Sequence, residues 1–243
     1  MATSILRSVL SVLALSSLVA LSCAEQEESL YVVHAVPIDP EGCSANPSSV
    51  GQGWDTLDLS FDTGFVVALQ LKNNLMSGRT SNSGIDDSEM LLRDVDVRLD
   101  IPQRPDLIEA IAAVDPSLVE FNSVLASDSI SGQQESVVAV RIPPGSLDAI
   151  GTAVGGTFGT GSDLRIGLTV SIVVHALRAS NELGGGVGKV EAREFVFPVD
   201  LCFNCLRDCS TCAGTCTDTE VGSGGVCGNA QSVATVPMDC IAP

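Results

Sequence analysis

Apolar and polar residues alternate along several stretches of this chain. In the clearest predicted strand, residues 91–101, the pattern alternates from Asp94 onward: Val95, Val97, Leu99 and Ile101 alternate with Asp94, Asp96, Arg98 and Asp100. Residues 57–62 show the same alternation over a shorter length. Because successive side chains of a strand point to opposite faces, a period of two predicts strands with one buried face.

Longer stretches rich in valine, isoleucine and leucine predict further strands. Residues 65–71 form an apolar run that predicts a strand covered on both faces. The remaining predicted strands are residues 30–38, 118–125, 136–142, 164–177 and 190–199. The segments between them are rich in Gly, Ser, Asn and Pro, which predicts turns and loops over residues 39–56, 72–88, 155–161 and 181–188.

Two short segments have helical composition. Residues 106–114 follow a possible N-cap at Asp106 and precede Pro116. A second helix is predicted to begin at Ser146 and to end near Val154, before a glycine-rich loop. The chain is therefore predicted to be mainly β, an antiparallel β-sandwich with one or two short helices.

The stretch 65–101 resembles the WHy/LEA-type immunoglobulin-like sandwich. The resemblance rests on an apolar strand that runs into Lys72, Asn73 and Asn74 and is followed by the alternating strand 95–101. It implies an immunoglobulin-like arrangement of the two sheets. It implies no catalytic residues.

The N-terminal segment has the pattern of an export signal. Arg7 precedes an apolar run at residues 9–21, which is too short for a usual membrane-spanning helix. The run ends at Ser22 and Cys23, which resembles the lipobox of bacterial lipoproteins, although Ala20 stands where that family usually has leucine. In that family the cysteine becomes the acylated first residue of the mature protein. The alternative is ordinary cleavage after Ala24.

The lipobox and the overall layout together resemble uncharacterised bacterial cell-envelope lipoproteins. The resemblance implies lipidation of Cys23 and, because Ala24 follows, an outer-membrane location facing the periplasm or the surface. We predict a signal peptide at residues 1–22, a lipidated cysteine and tether at 23–29, a sandwich domain at 30–200 and a disulfide-rich module at 201–243. If the chain is not anchored, we expect it to be secreted.

The cysteine count supports export. Of nine cysteines, eight lie beyond the signal boundary, and an even number in an exported chain predicts a disulfide framework. These eight are Cys43, Cys202, Cys205, Cys209, Cys212, Cys216, Cys227 and Cys240. If they pair only with each other, Cys43 joins the N-terminal loop to the C-terminal module.

The spacing within residues 202–216 raises three alternatives to a set of structural disulfides. Two CxxC pairs separated by three residues are too close for a usual structural zinc site. The spacing of Cys205, Cys209 and Cys212 matches some iron–sulfur ligands, but an exported chain meets the wrong redox conditions. A thiol-exchange CxxC at Cys202 and Cys205 would need a helix that lowers a thiol pKa, and the surrounding composition predicts none. We therefore predict no metal and no cofactor.

Charge and composition exclude several functions. The chain has 12 basic and 30 acidic residues, a formal net charge of -18, which argues against a nucleic-acid partner. Aromatic residues are 4% of the chain, which argues against a sugar-binding site. The glycine-rich segment 184–189 lacks the Gly and Ser/Thr positions of a phosphate-binding loop.

The candidate catalytic residues are few. His34 and His175 lie in predicted strands, where histidine more often packs than reacts. A two-histidine metal site would require these strands to be neighbours, with Glu191 or Glu194 nearby. Asp94, Asp96 and Asp100 share one strand face, which predicts a solvated surface rather than a calcium site.

The expected function is that of a non-catalytic exported envelope lipoprotein with a structural or binding role. The expected partners are the membrane, through the lipid anchor, and another envelope protein. One alternative is a secreted or periplasmic hydrolase that uses Asp and Glu residues or His175. A second alternative is a thiol–disulfide exchange protein that uses Cys202 and Cys205.

Overall fold

The computed structural model describes residues 28–39, 44–59, 63–76, 88–125, 129–158, 164–178, 188–203 and 205, together with short strands at 207–208, 215–217, 236–237 and 239–241. The described part of the chain is mainly β and contains two α-helices. In chain order the first eight strands are β1 Leu30–Val36, β2 Ile38–Asp39, β3 Ser44–Ala45, β4 Asp55–Asp58, β5 Thr63–Asn73, β6 Met90–Asp100, β7 Glu120–Val124 and β8 Ser129–Ile130. The other strands are β9 Glu135–Ser146, β10 Ile166–Arg178, β11 Gly188–Glu191, β12 Phe195–Cys202, β13 Arg207–Asp208, β14 Thr215–Thr217, β15 Val236–Pro237 and β16 Asp239–Ile241.

Most of these strands belong to two sheets. The smaller sheet has the order β1-β5-β9 and is antiparallel throughout. The larger sheet has the order β4-β12-β10-β6-β7, with β11 also paired to β10 and β8 to β6. Its strands pair antiparallel except for β4, which runs parallel to β12. The sequence prediction of a mainly β chain is confirmed, and the immunoglobulin-like sandwich stays a prediction.

Both sheets contribute to one hydrophobic core. Phe65 and Leu69 of the smaller sheet belong to the same buried cluster as Val97, Val170 and Phe197 of the larger sheet. The strand predicted at 91–101 is confirmed as β6. Its residues are alternately buried and exposed on either side of Asp94, which is half-buried. The covered strand predicted at 65–71 is also confirmed, since β5 is buried there except at Val66, which is half-buried.

The two helices complete this core. Helix α1, Pro105–Val114, buries Leu107 and Ile111. Helix α2, Asp148–Phe158, packs against α1 and contributes Ile150 and Val154. A short 3-10 helix, Pro116–Leu118, links α1 to β7, and the Asp115 carboxylate caps it by accepting from the backbone N–H of Ser117 at 2.9 Å.

The structure corrects the predicted helix boundaries. The N-cap of α1 is Arg104 rather than Asp106, and Asp106 instead forms a salt bridge with the Arg104 guanidinium at 2.7 Å. The second helix begins at Asp148 rather than Ser146, because β9 continues to pair with β5 as far as Ser146. It also extends through two glycines of the predicted loop 155–161, to Phe158.

Two predicted strands also differ from the observed ones. The half-buried strand predicted at 57–62 is wrong where the structure describes it, because β4 is buried at all four of its residues. The single strand predicted at 190–199 is two strands, β11 and β12. The chain leaves β11 at Ala192, which is buried and donates its backbone N–H to Val174 O at 2.9 Å.

Candidate functional site

The larger sheet carries a polar network on its outer face, centred on Asp96 of β6. The Nε2 atom of His175, on β10, lies 2.8 Å from Asp96 Oδ2, and the Nδ2 atom of Asn122, on β7, donates to Asp96 Oδ1 at 2.9 Å. The same amide nitrogen lies 3.1 Å from Asp94 Oδ1. Three neighbouring strands thus supply one hydrogen-bonded cluster.

A β-bulge explains why these side chains meet. His175 is the Cα partner of Asp94, but the next residue, Ala176, is the partner of Leu92, so Arg93 is the extra residue in β6. A bulge shifts the alternation of a strand by one residue. Leu92 therefore stays in the core while Asp94 and Asp96 reach the outer face that carries His175.

Hydrogen bonding fixes the charge state of Asp96. The amide of Asn122 lowers the pKa of the Asp96 carboxyl, the hydrogen bond from His175 lowers it further, and partial burial opposes both effects. A carboxylate oxygen only accepts, so the His175 Nε2 atom donates in this contact. Asp96 is thus held ionised and in a fixed position.

Carboxylates flank the His175 ring on both sides. The Nδ1 atom lies 3.7 Å from Glu191 Oε1, and Glu191 is the Cα partner of His175 in the β10–β11 ladder. The His175 side chain is 22% exposed, against 58% for Asp96 and 69% for Glu191. On the same face, Arg98 Nη2 lies 3.7 Å from Glu194 Oε1. His175 is thus placed between a carboxylate of β6 and a carboxylate of β11.

An open cleft of about 630 Å³ lies beside this network, where β7 meets α1 and the 3-10 helix. Its wall combines two carboxylates, one amide and one hydroxyl with apolar side chains. The lining residues are Asp96, Ala112, Pro116, Ser117, Val119, Glu120, Phe121 and Asn122. This combination suits a ligand with a positive charge and an apolar body.

The second histidine lies elsewhere. His34 is on β1 in the smaller sheet, where its Cα partner is Gln70. Its Nε2 atom is buried without a hydrogen-bond partner among the described residues. The two histidines are therefore not on neighbouring strands, so the arrangement required for a two-histidine metal site is not formed. Glu191 does lie beside His175, whereas Glu194 pairs with Arg98.

The predicted acidic row is split by these contacts. Asp94 and Asp96 share the Asn122 amide, and Arg98, the next outward residue, is occupied by Glu194. Asp100 is exposed at the end of the strand. Two carboxylates of the row therefore accept hydrogen bonds from neighbouring side chains, and the interpretation of the row as a solvated surface stays a prediction.

Cys202 and Cys205 belong to a second cluster, at the edge of the larger sheet formed by β4 and β12. Cys202, at the end of β12, is bonded to Cys205 in a disulfide with Cα atoms 5.9 Å apart. The backbone places Cys216 opposite Cys240 in the β14–β16 pair. The remaining predicted disulfide residues, Cys43, Cys209, Cys212 and Cys227, lie outside the described residues, as does the predicted lipidation residue Cys23.

Asp58 is the residue of this cluster that the sequence did not reveal. It is fully buried, and one of its carboxylate oxygens and the two disulfide sulfurs all lie within 4.8 Å of one another. The parallel pairing that makes Asp58 the Cα partner of Cys202 joins residues far apart in the chain. Asn122 was missed for the same reason, because only the β6–β7 ladder places it beside Asp96.

Comparison with known proteins adds no relative. No family model, no curated protein and no solved structure matches this chain. Within the described residues, none of the helices has the length and apolar character needed to cross a membrane.

Proposed function

We propose that this chain is an exported, non-catalytic binding protein of the cell envelope, anchored through Cys23. We further propose that the cleft beside Asp96 binds a cationic group of an envelope partner. The observation that carries the binding role is the ionised Asp96 carboxylate, fixed by Asn122 and His175 in the wall of an open cleft. A charged side chain that is already held in position before binding favours a partner of the opposite charge.

Export is supported by the signal-like N-terminus and by the Cys202–Cys205 disulfide, since disulfides persist mainly in oxidising compartments. The intact mass of protein isolated from its native envelope tests this part. We expect a mass that begins at Cys23 with added acyl chains, and eight thiols that react only after reduction. A mass beginning at Glu25, or thiols reactive before reduction, would contradict the anchor or the disulfide framework.

The cleft is tested with a short lysine-containing peptide, amidated and acetylated at its ends, and with the same peptide carrying glutamate instead of lysine. We expect weak binding of the lysine peptide alone, reduced about fivefold or more by Asp96→Asn or Glu120→Gln, because a lost charged partner is worth about 1 kcal/mol or more. The control is Glu135→Gln, which changes the net charge equally on the smaller sheet. Equal losses in all three variants would show that only net charge attracts the peptide.

An immunoglobulin-like sandwich is part of this proposal at the level of the fold. The single core shared by the two sheets supports it. Aligned packing of the two sheets in a crystal of the protein would agree with it, and orthogonal packing would contradict it.

A hydrolase is the second candidate, favoured by the contact of His175 Nε2 with Asp96 Oδ2. A carboxylate that orients a histidine is the arrangement that prepares a general base to activate water. The test is turnover of ester, peptide and glycoside substrates by the whole protein, with His175→Gln as the control. Turnover that His175→Gln removes would favour the hydrolase. Turnover unaffected by this change would count against it.

A further inference from the structure

The disulfide between Cys202 and Cys205 closes a short loop at the end of a strand that is already paired on both sides, so it adds little stability as a crosslink. The two cysteines are separated by three positions in the chain, and β12 is already held by β10 and β4 on either side. A crosslink stabilises a fold mainly by closing a loop in the unfolded chain, and short loops contribute least. The role of this pair therefore needs another explanation.

The two sulfurs differ in access. Cys202 is fully buried, whereas Cys205 is half-buried. Cys205 is thus the more accessible residue of the pair, and attack of an incoming thiolate there makes the Cys202 sulfur the leaving group inside the protein. Thiol–disulfide exchange depends on which sulfur is attacked and on the thiolate that leaves.

Asp58 provides a carboxyl group at the point where that thiolate would form. Its carboxylate oxygen lies within 4.8 Å of both sulfurs, and Leu59, the next residue, donates its backbone N–H to Cys202 O at 2.9 Å. The parallel β4–β12 pair thereby fixes Asp58 beside Cys202.

We propose that Cys202 and Cys205 form an exchangeable dithiol–disulfide pair that reacts with thiols of other molecules, and that Asp58 accepts the proton of Cys202. In the closing direction the starting species has Cys205 in a mixed disulfide with a partner thiol. Cys202 transfers its proton to the Asp58 carboxylate, and the Cys202 thiolate attacks the Cys205 sulfur. The new bond is Cys202–Cys205, the broken bond joins Cys205 to the partner, and the partner leaves as a thiolate that takes the proton. Reduction by a dithiol follows the same steps in reverse.

This chemistry is independent of the acidic cleft, so either proposal can fail alone. It also does not use the helix that a low-pKa CxxC commonly has, because Cys202 ends a strand.

The first measurement asks whether this pair reacts before the other cysteines. The whole mature protein is titrated with a dithiol, quenched in acid, alkylated and cleaved after lysine and arginine, so that residues 194–207 form one peptide with only Cys202 and Cys205. We expect this peptide to be reduced at a dithiol concentration that leaves the other cysteine peptides oxidised. Simultaneous reduction of all cysteines would overturn the exchange proposal.

The second measurement tests Asp58 after this selective reduction. Oxidised glutathione is added, and the rate at which the 194–207 peptide recloses is followed by quenching with acid. For Asp58→Asn we expect closure at least about tenfold slower at neutral pH, since a positioned base accelerates proton transfer by about that factor or more. Asp55→Asn, which removes another buried carboxylate of β4, is the control and should close at the wild-type rate. Equal rates in wild type and Asp58→Asn would exclude the role of Asp58.

The pH profile of the wild-type protein gives the same answer without a variant, in case Asp58→Asn does not fold. Without a base, the closure rate rises about tenfold for each unit of pH increase, up to the pKa of the attacking thiol. With Asp58 as the proton acceptor, we expect the closure rate to stop rising at a pH below the pKa of the thiol. A proportional rise through neutral pH would overturn the role of Asp58.

Discussion

Asp96 owes its position to side chains from two other strands. Asn122 and His175 each bond one of its carboxylate oxygens, and each comes from a neighbouring strand of the same sheet. Such cross-strand pairs are the unit that stabilises a sheet surface. At this scale the charge of one residue depends on contacts that no local sequence pattern reveals.

We expect Asn122→Ala to raise the pKa of Asp96 toward its ordinary value, because the Asn122 amide is the largest cause of the lowered value. The measurement is an NMR titration of the Asp96 side-chain carboxyl carbon. Ser123→Ala, the next residue on β7 and the partner of Val95, is the control. An unchanged Asp96 titration in Asn122→Ala would contradict the assigned cause.

The lowered pKa of Asp96 also predicts a pH dependence of stability. A carboxyl group whose pKa is lower in the folded state stabilises the fold above its unfolded value, near 3.8, and loses this contribution as the pH falls through the folded value. Because the side chain is 58% exposed, we expect the contribution to be about 1 kcal/mol or less. Urea unfolding of wild type and Asp96→Asn should therefore differ more at pH 6 than at about pH 2. A difference that grows on acidification would refute this.

At the scale of elements, the end of β5 is tied to the larger sheet by a buried asparagine. The Asn73 side-chain amide donates to Ser88 O at 2.6 Å and to Ile130 O at 2.8 Å, and its oxygen accepts from Leu75 N at 3.0 Å. Ser88 lies two residues before the start of β6, and Ile130 belongs to β8. One side chain thus satisfies three backbone groups that join both sheets.

We expect Asn73→Ala to lower the free energy of unfolding by about 2 kcal/mol or more, since each buried backbone group left without a partner costs about 1–3 kcal/mol. Denaturant unfolding measures the change. The adjacent Asn74→Ala is the control, because its backbone N–H, which donates to Ser29 O, stays in place. Comparable losses in the two variants would show that the Asn73 side chain has no special role.

Close packing of backbone explains a glycine at the start of β5. A Cβ atom on Gly64 would collide with the backbone oxygen of Ile142 and would lie 2.6 Å from Pro143 O. We expect Gly64→Ala to destabilise the protein by about 1–3 kcal/mol, the usual cost of overpacking. Gly167→Ala on β10 is the matched control, since nothing lies within 4 Å of a Cβ there, and thermal unfolding compares the two. A neutral Gly64→Ala would mean that β5 and β9 can separate locally.

At the scale of the whole molecule, charge opposes compaction. The formal net charge of -18 makes self-repulsion the dominant long-range electrostatic effect, and the ion pairs of the described Lys and Arg residues are exposed or half-exposed. Repulsion between like charges favours the expanded chain, and salt screens it.

We therefore expect the thermal unfolding midpoint to rise as sodium chloride is increased from about 0.01 M to 0.3 M, because added salt shortens the screening length and weakens the repulsion. The control is the same series at a pH near the isoelectric point of about 4.2, where the rise should be smaller. A midpoint that falls with salt at neutral pH would show that attractive pairs outweigh the net repulsion.

The sequence by itself determined the class of fold and most of its strands. Alternation predicts β6, and an apolar run predicts the covered β5, because burial of apolar side chains is encoded in local periodicity. The helix predicted at residues 106–114, from its composition and from Pro116 beyond its end, is α1. The signal segment and the disulfide framework remain predictions, since the residues that carry most of them lie outside the described structure.

The tertiary structure alone decided which polar residues meet. The bulge at Arg93 directs Asp96 toward His175, and the parallel β4–β12 pair brings Asp58 to the Cys202–Cys205 disulfide. Both depend on strand register between segments far apart in the chain, where a shift of one residue reverses the face of every side chain. Periodicity specifies that a strand has a buried face, but only the assembled sheet fixes which side chains are opposite each other.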